Sequence, residues 1–189
     1  MRGHSLDVAC RPADDADLAE IAAVYALCVR QGDGAFDDTY DAGRLALKYR
    51  DLLARRVPFV VACRNDRVIG FAHTDAYHPG SGFAHCGNLS IWIRLLHRGT
   101  GVGTRLLEAL LRASAASGYR QILSWVLSDN APGLALHRRC GFAIIGWHRE
   151  ACQVGGTLRD IVLLRHDLAR FLAAAELAAR PEPLRLLVA

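Results

Sequence analysis

Leu89 to Leu111 read LSIWIRLLHRGTGVGTRLLEALL. The stretch begins with alternating residues, crosses a turn with glycines at 99, 101 and 103, and enters an amphipathic helix. Ser90 and Trp92 fall on one strand face, and Leu89, Ile91 and Ile93 on the other. In the helix Leu106, Leu107, Leu110 and Leu111 share one side, opposite Arg105, Glu108 and Arg112. Gly118 ends the helix, and QILSWVLS (Gln121 to Ser128) follows as a nearly continuous apolar run, the pattern of a strand buried on both faces. Phe83 to Ser128 is therefore strand, helix, strand: a parallel pair with a right-handed crossover.

Upstream, Leu6 to Pro12 alternates as a short first strand. Asp14 caps a helix carrying Leu18, Ile21, Tyr25 and Cys28 at helical spacing, and QGDGAFDD breaks it. A second helix is predicted from Asp41 to Arg56. Pro58 to Arg64 and Arg67 to Tyr77 flank an Asn65-Asp66 hairpin turn. Downstream, APGLALHRRC reads as a short helix, and GFAIIGWHREACQV and TLRDIVLLRHDL as strands joined through Gly155-Gly156. The expected order is β-α-α-β-β-β-α-β-α-β-β, a mixed α/β (α+β) sheet with helices on both faces. Residues 1–170 read as a single domain, and 171–189 as a helical tail.

A glycine turn ahead of a helix suits a phosphate. A P-loop needs Lys after its last glycine, and none is present. The dinucleotide fingerprint GxGxxG fits Gly99 and Gly101 but meets Thr104 at its third position. Arg98-Gly99-Thr100-Gly101-Val102-Gly103 instead matches R/Q-x-x-G-x-G/A, in which small residues let backbone N–H groups approach a pyrophosphate. A plain glycine-rich turn is the competing reading.

The 189 residues carry a net charge of only +4 with scattered basic residues, which argues against a nucleic-acid face. No membrane-length apolar run and no secretory h-region occur. The six cysteines form no CxxC pair and no zinc-finger spacing, so no metal site is expected. They read as reduced thiols of a cytoplasmic protein.

The turn, the preceding LSIWIR and the following DNAPGLALHRRCGF together resemble the GNAT superfamily of N-acetyltransferases, and most the phosphinothricin or methionine sulfoximine acetyltransferase branch. That branch reads E-x-S-V-Y-V, then H-R/Q-x-x-G-x-G, then N-x-x-S-x-x-L-H/Y-x-x-x-G-F. The resemblance covers roughly Val8 to Leu168 and implies a mostly antiparallel sheet with a splayed parallel pair. It also implies acetyl-coenzyme A as acyl donor, a small primary amine as acceptor, and a homodimer.

Residue by residue, the resemblance implies that the backbone of Ile91, Trp92 and Ile93 bonds the pantetheine arm. Arg98 and the N–H groups of Gly99, Thr100, Gly101, Val102, Gly103 and Thr104 hold the pyrophosphate. Asn130 bonds the coenzyme, a role compatible with a helix N-cap. His137 lies near the sulfur and protonates the leaving thiolate, against the plain reading of a core or surface histidine. Phe36 walls the acceptor pocket or anchors its own loop, and Tyr77-His78 stands for an aromatic-basic pair after the third strand.

The chain departs from the branch at Asn88, which occupies the position of the strand's Glu. Asparagine accepts no proton. Another base (His85 or His73), water acting alone, or a coenzyme-binding protein with a decayed acceptor site each remain open. Ser is replaced by Gly133, and the Trp of a late G-R-W-x-D hairpin is Leu158 here. The coenzyme half of the pattern is intact, and the acceptor half is altered.

Overall fold

The computed structural model describes residues 8–31, 42–169 and 171. Among them seven strands form one sheet: β1 (Ala9–Pro12), β2 (Phe59–Arg64), β3 (Arg67–Ala76), β4 (Cys86–Ile93), β5 (Gln121–Leu127), β6 (Ala143–Val154) and β7 (Thr157–Asp167). Their order is β1-β2-β3-β4-β5-β7-β6. The β4–β5 pair is parallel and every other pair antiparallel.

Strand alternation divides the core in two. Phe59, Val61, Cys63 and Phe71 pack against Ile21, Val24, Tyr25 and Cys28 of α1 (Leu18–Arg30) and Leu45, Tyr49 and Leu52 of α2 (Ala42–Ala54). Val60, Ala62, Ala72, Leu89, Ile122 and Val126 pack against the leucine face of α3 (Val102–Ala116). Leu134 and Leu136 of α4 (Ala131–Arg139) join that second cluster.

The parallel pair is short. Its register holds Cys86 to Gln121, Gly87 to Ile122 and Asn88 to Leu123, and ends there. A Cβ at Gly87 would run into Thr74 Cγ2 and stand 3.0 Å from Ile122 Cδ1, so only glycine permits this approach. One residue later the strands part. β4 runs on to Ile93 along β3, and β5 runs on to Leu127 along β7, with no pairing between them.

Several elements differ from expectation at their edges. Phe83 belongs to a 3-10 turn (Ser81–Phe83), and the strand begins at Cys86. The backbone N–H groups of Arg120 and Gln121 both bond His85 O, which fixes where β4 and β5 first meet. A 3-10 turn (Asp15–Asp17) precedes α1, with Asp14 accepting from Ala16 N at 2.9 Å. β5 is not buried on both faces: Trp125 is 43% exposed. α1 and α2 cover β2 to β4, and no described helix covers β5, β7 and β6 on that side. The strand's apolar run therefore shows its hydrophobicity but not its burial.

All six cysteines are free thiols. Among the described residues no helix is long and apolar enough to cross a membrane. Leu6, Phe36, Asp41 and the tail beyond Phe171 lie outside the described residues.

Candidate active site

The glycine turn sits between a 3-10 turn (Leu95–His97) and α3. Gly99 has φ +71° and Gly101 φ +86°, left-handed conformations that favour glycine. Gly101 is the N-cap of α3 and carries no capping side chain. The N–H groups of the first turn thus have no intrahelical partner and point out of a positive dipole end. Thr100 Oγ1 is committed elsewhere, donating to His97 O at 2.8 Å. Arg98 turns away from the helix end: its Nε donates to Ile93 O at 2.9 Å and its Nη2 reaches Cys28 Sγ at 3.6 Å. The arginine braces the turn against the end of β4.

Leu89 to Ile93 border the gap above this turn, with Ser124 to Leu127 across it. An extended chain laid between them meets backbone groups of β4 as an added strand does. Asn130 caps α4, its Oδ1 accepting from Gly133 N at 2.9 Å, and its side chain lies where a Cβ on residue 133 would stand. Gly133, where the branch has Ser, lets the Asn130 side chain lie close over the first turn of α4. Asn130 is exposed.

His137 lies on α4 and is buried, 2% exposed. Its Nδ1 stands 2.8 Å from Gly133 O, and its Nε2 2.9 Å from Ser124 Oγ. A carbonyl only accepts, so Nδ1 carries the proton and Nε2 accepts from the serine hydroxyl. Burial lowers the pKa of the ring, while the Gly133 bond pushes it upward. The neutral ring therefore presents no proton of its own to the gap, and Ser124 is its contact with β5. Nothing in the sequence marked Ser124, thirteen residues away.

Across the sheet, on the α1–α2 face, Asn88, Ser90 and Trp92 point the same way as their β3 partners Asp75, His73 and Phe71. Trp92 packs edge-on to Tyr25, with centroids 4.7 Å apart. Asn88 Oδ1 and His73 Nδ1 are buried without hydrogen-bond partners. His73 is wedged between Tyr49 and Phe59. Burial, and then the charge of Lys48, lower its pKa to about 3. The ring is neutral at physiological pH. His85 precedes β4 and is exposed, so it is not a strand residue facing Asn88.

Asp75 was not singled out in the sequence. It stands opposite Asn88 in the β3–β4 register. Arg55, just beyond α2, donates from Nη2 to its Oδ1 at 2.6 Å, and Ala76 N donates to the same oxygen at 2.7 Å. Burial raises the pKa of this carboxyl, but the Arg55 bond, the Ala76 N–H and the Arg55 charge outweigh it and hold it below the ordinary range. Tyr77, 39% exposed, and His78 close the end of β3 against Phe83, with centroids 5.9 and 4.9 Å away. Phe36 lies outside the described residues. Asp75, Asn88 and Tyr77 are thus gathered near one end of the β3–β4 pair.

Comparison with known proteins agrees with this geometry. The sequence profile of the Acetyltransferase (GNAT) family matches residues 18–142. A phosphinothricin N-acetyltransferase of Alcaligenes faecalis is 31% identical over 156 residues, covering 82% of this chain and 79% of its own. An L-methionine sulfoximine/L-methionine sulfone acetyltransferase of Pseudomonas aeruginosa is 30% identical over 165 residues, covering 86% and 96%. The crystal structure of a phosphinothricin acetyltransferase from Sinorhizobium meliloti, in complex with acetyl-coenzyme A, superposes with TM-score 0.79 at 26% identity, covering 85% of this chain and 88% of that one.

Proposed function

The chain belongs to the Acetyltransferase (GNAT) family, and we propose that it moves an acetyl group from acetyl-coenzyme A to the primary amine of a small, amino-acid-like molecule. The observation that carries this reading is the parting of β4 from β5 directly above a left-handed glycine turn and a bare helix N-terminus. A gap between strands takes an extended pantetheine arm, and the helix end takes a pyrophosphate. Ile91, Trp92 and Ile93 would hold the arm by their backbone, Gly99 to Thr104 the pyrophosphate, and Asn130 an outer part of the coenzyme.

The amine attacks the thioester carbonyl directly, within a ternary complex. Backbone N–H groups along the parted strand stabilise the developing oxyanion. The departing thiolate takes up a proton given up by the attacking nitrogen. The amino-acid-like acceptor is supported by the names of the relatives above, which act on phosphinothricin and on methionine sulfoximine.

An acetylation screen read by product mass tests this. The protein is incubated with acetyl-coenzyme A and phosphinothricin, L-methionine sulfoximine, L-methionine sulfone, common amino acids, polyamines and a lysine peptide. An N-acetylated small amine is expected. No product from any acceptor, with coenzyme binding intact, favours a second reading that rests on Asn88: a coenzyme-binding protein that has lost its acceptor chemistry. Under that reading Asn88→Glu gains turnover, whereas under the first it loses turnover.

A further inference from the structure

The α1–α2 face beside the gap holds an unusual set of polar atoms. Asn88 Oδ1 is buried and unpartnered, and so is His73 Nδ1 two residues back along the face. Asp75, directly across from Asn88, has both of its bonds on Oδ1, and among the described residues Oδ2 accepts none. Directly opposed residues of an antiparallel pair hold their Cβ atoms about 4.5–5.5 Å apart. The Asp75 and Asn88 side chains therefore stand side by side on neighbouring strands. The Asp75 side chain is 31% exposed, enough for a ligand and for solvent to reach it.

Asp75 Oδ2 is a charged acceptor with no partner among the described residues, and it fits a group that donates. An alkylammonium carries three N–H donors, one positive charge and no acceptor. The neighbouring His73 is neutral and does not repel a cation. The charged and titratable groups around Asp75 are Arg55, bonded to it, Asp51, bonded to Arg55 at 3.2 Å, Lys48 near His73, His73 itself, and Tyr119. Arg55 and Lys48 balance Asp51 and Asp75, so the cluster is neutral overall, and the Arg55 charge is shared between the two aspartates.

We propose that Asp75 is the carboxylate of the acceptor subsite: with Asn88 Oδ1 it receives the ammonium group of the incoming amine and takes the proton that frees its lone pair. The proposal rests on the acetyl-transfer reading above. One proton passes from R–NH3+ to Asp75 and on to solvent. The freed nitrogen forms the N–C bond as the C–S bond breaks. The second nitrogen proton ends on the coenzyme thiolate, giving amide, thiol and one released proton. The carboxylate missing at position 88 is thus supplied from the adjacent strand.

The test compares the parent with Asp75→Asn, Asp75→Glu and the double variant Asp75→Asn/Asn88→Asp, which moves the carboxylate across the strand pair. kcat/KM for L-methionine sulfone is measured from about pH 6.5 to 9.5, and coenzyme A affinity by calorimetry. Loss of a proton acceptor predicts a fall of about 100-fold for Asp75→Asn near pH 7, shrinking as pH approaches the amine's own pKa. Coenzyme A affinity stays within about twofold, and Asp75→Glu and the double variant recover at least tenfold over Asp75→Asn. A purely structural clip between Arg55 and the sheet predicts a loss equal at every pH and no recovery on moving the charge, which overturns the proposal. Asp75→Asn within about threefold of the parent overturns it too. If the parent acetylates no amine, the acetyl-transfer reading falls by itself. Calorimetric binding of L-methionine sulfone to the coenzyme A complex then reads the subsite, and no weakening by Asp75→Asn overturns the proposal.

Discussion

The two faces of the sheet beside the β4–β5 gap are finished differently. On the α3–α4 side several polar groups close onto one another: Ser124 onto His137, His137 onto Gly133, Asn130 onto Gly133, and Thr74 onto Ser114 at 2.8 Å. On the α1–α2 side Asn88 Oδ1 and His73 Nδ1 are buried with no partner. A buried polar atom left unpaired costs about 1–3 kcal/mol. The closed side is a packed scaffold. The open side has side-chain valences left over. Under the acetyl-transfer proposal the difference separates a coenzyme half built from backbone, and legible as glycines, from an acceptor half built from side chains on neighbouring strands.

The sharpest way to break this contrast is at the turn. Gly101→Val forces a β-branched residue into φ +86° and disturbs the helix end. Coenzyme A affinity should fall by about 100-fold or more, roughly 3 kcal/mol, by calorimetry. An affinity within tenfold of the parent removes the backbone cradle as the source of binding.

Acid sensitivity probes the open side. Burial lowers the pKa of His73 from the ordinary imidazole value of 6.5 to about 3 in the folded chain. Below about pH 6.5 the unfolded chain binds a proton that the folded chain refuses. Stability from this group is therefore complete above that pH and is lost as pH falls toward 3, by about 1.4 kcal/mol per pH unit. His73→Leu should flatten urea-unfolding stability between pH 6.5 and 5, while the parent loses about 2 kcal/mol there. Equal slopes in the two proteins sink the argument.

On the closed side, Ser124→Ala leaves His137 Nε2 buried without a donor. A loss of about 1–2 kcal/mol is expected, a drop of a few degrees in Tm. The double variant with His137→Phe should lose less than the sum of the two single changes. Additive losses mean that the pair is not coupled.

The smallest effect runs the other way. Asn88→Leu removes an unpaired buried oxygen and should leave Tm unchanged or raise it by a degree or two, while acetylation falls. A clear loss of Tm means that Asn88 serves the fold rather than a ligand.

Local periodicity and turn chemistry, which act over a few residues, were enough to determine the element order, the glycine turn, the strand–helix–strand around it and the two-faced core. Glycine at 99 and 101 declares its purpose because few other residues tolerate a left-handed backbone there. A period of two likewise placed Asn88, Ser90 and Trp92 together before any contact was known. Only the tertiary structure decided the rest. The segment from Tyr77 to His85 is long enough to allow several β3–β4 registers, so Asp75 opposite Asn88 could not be read from either strand. Ser124 met His137 only through α4 folding back on β5. Trp125 was left exposed because α1 and α2 stop at β4, and a strand's own apolar run carries no record of what covers it. Conformational preference is written residue by residue, whereas register, coverage and unmatched hydrogen-bonding atoms belong to pairs of distant segments and are settled when the core packs.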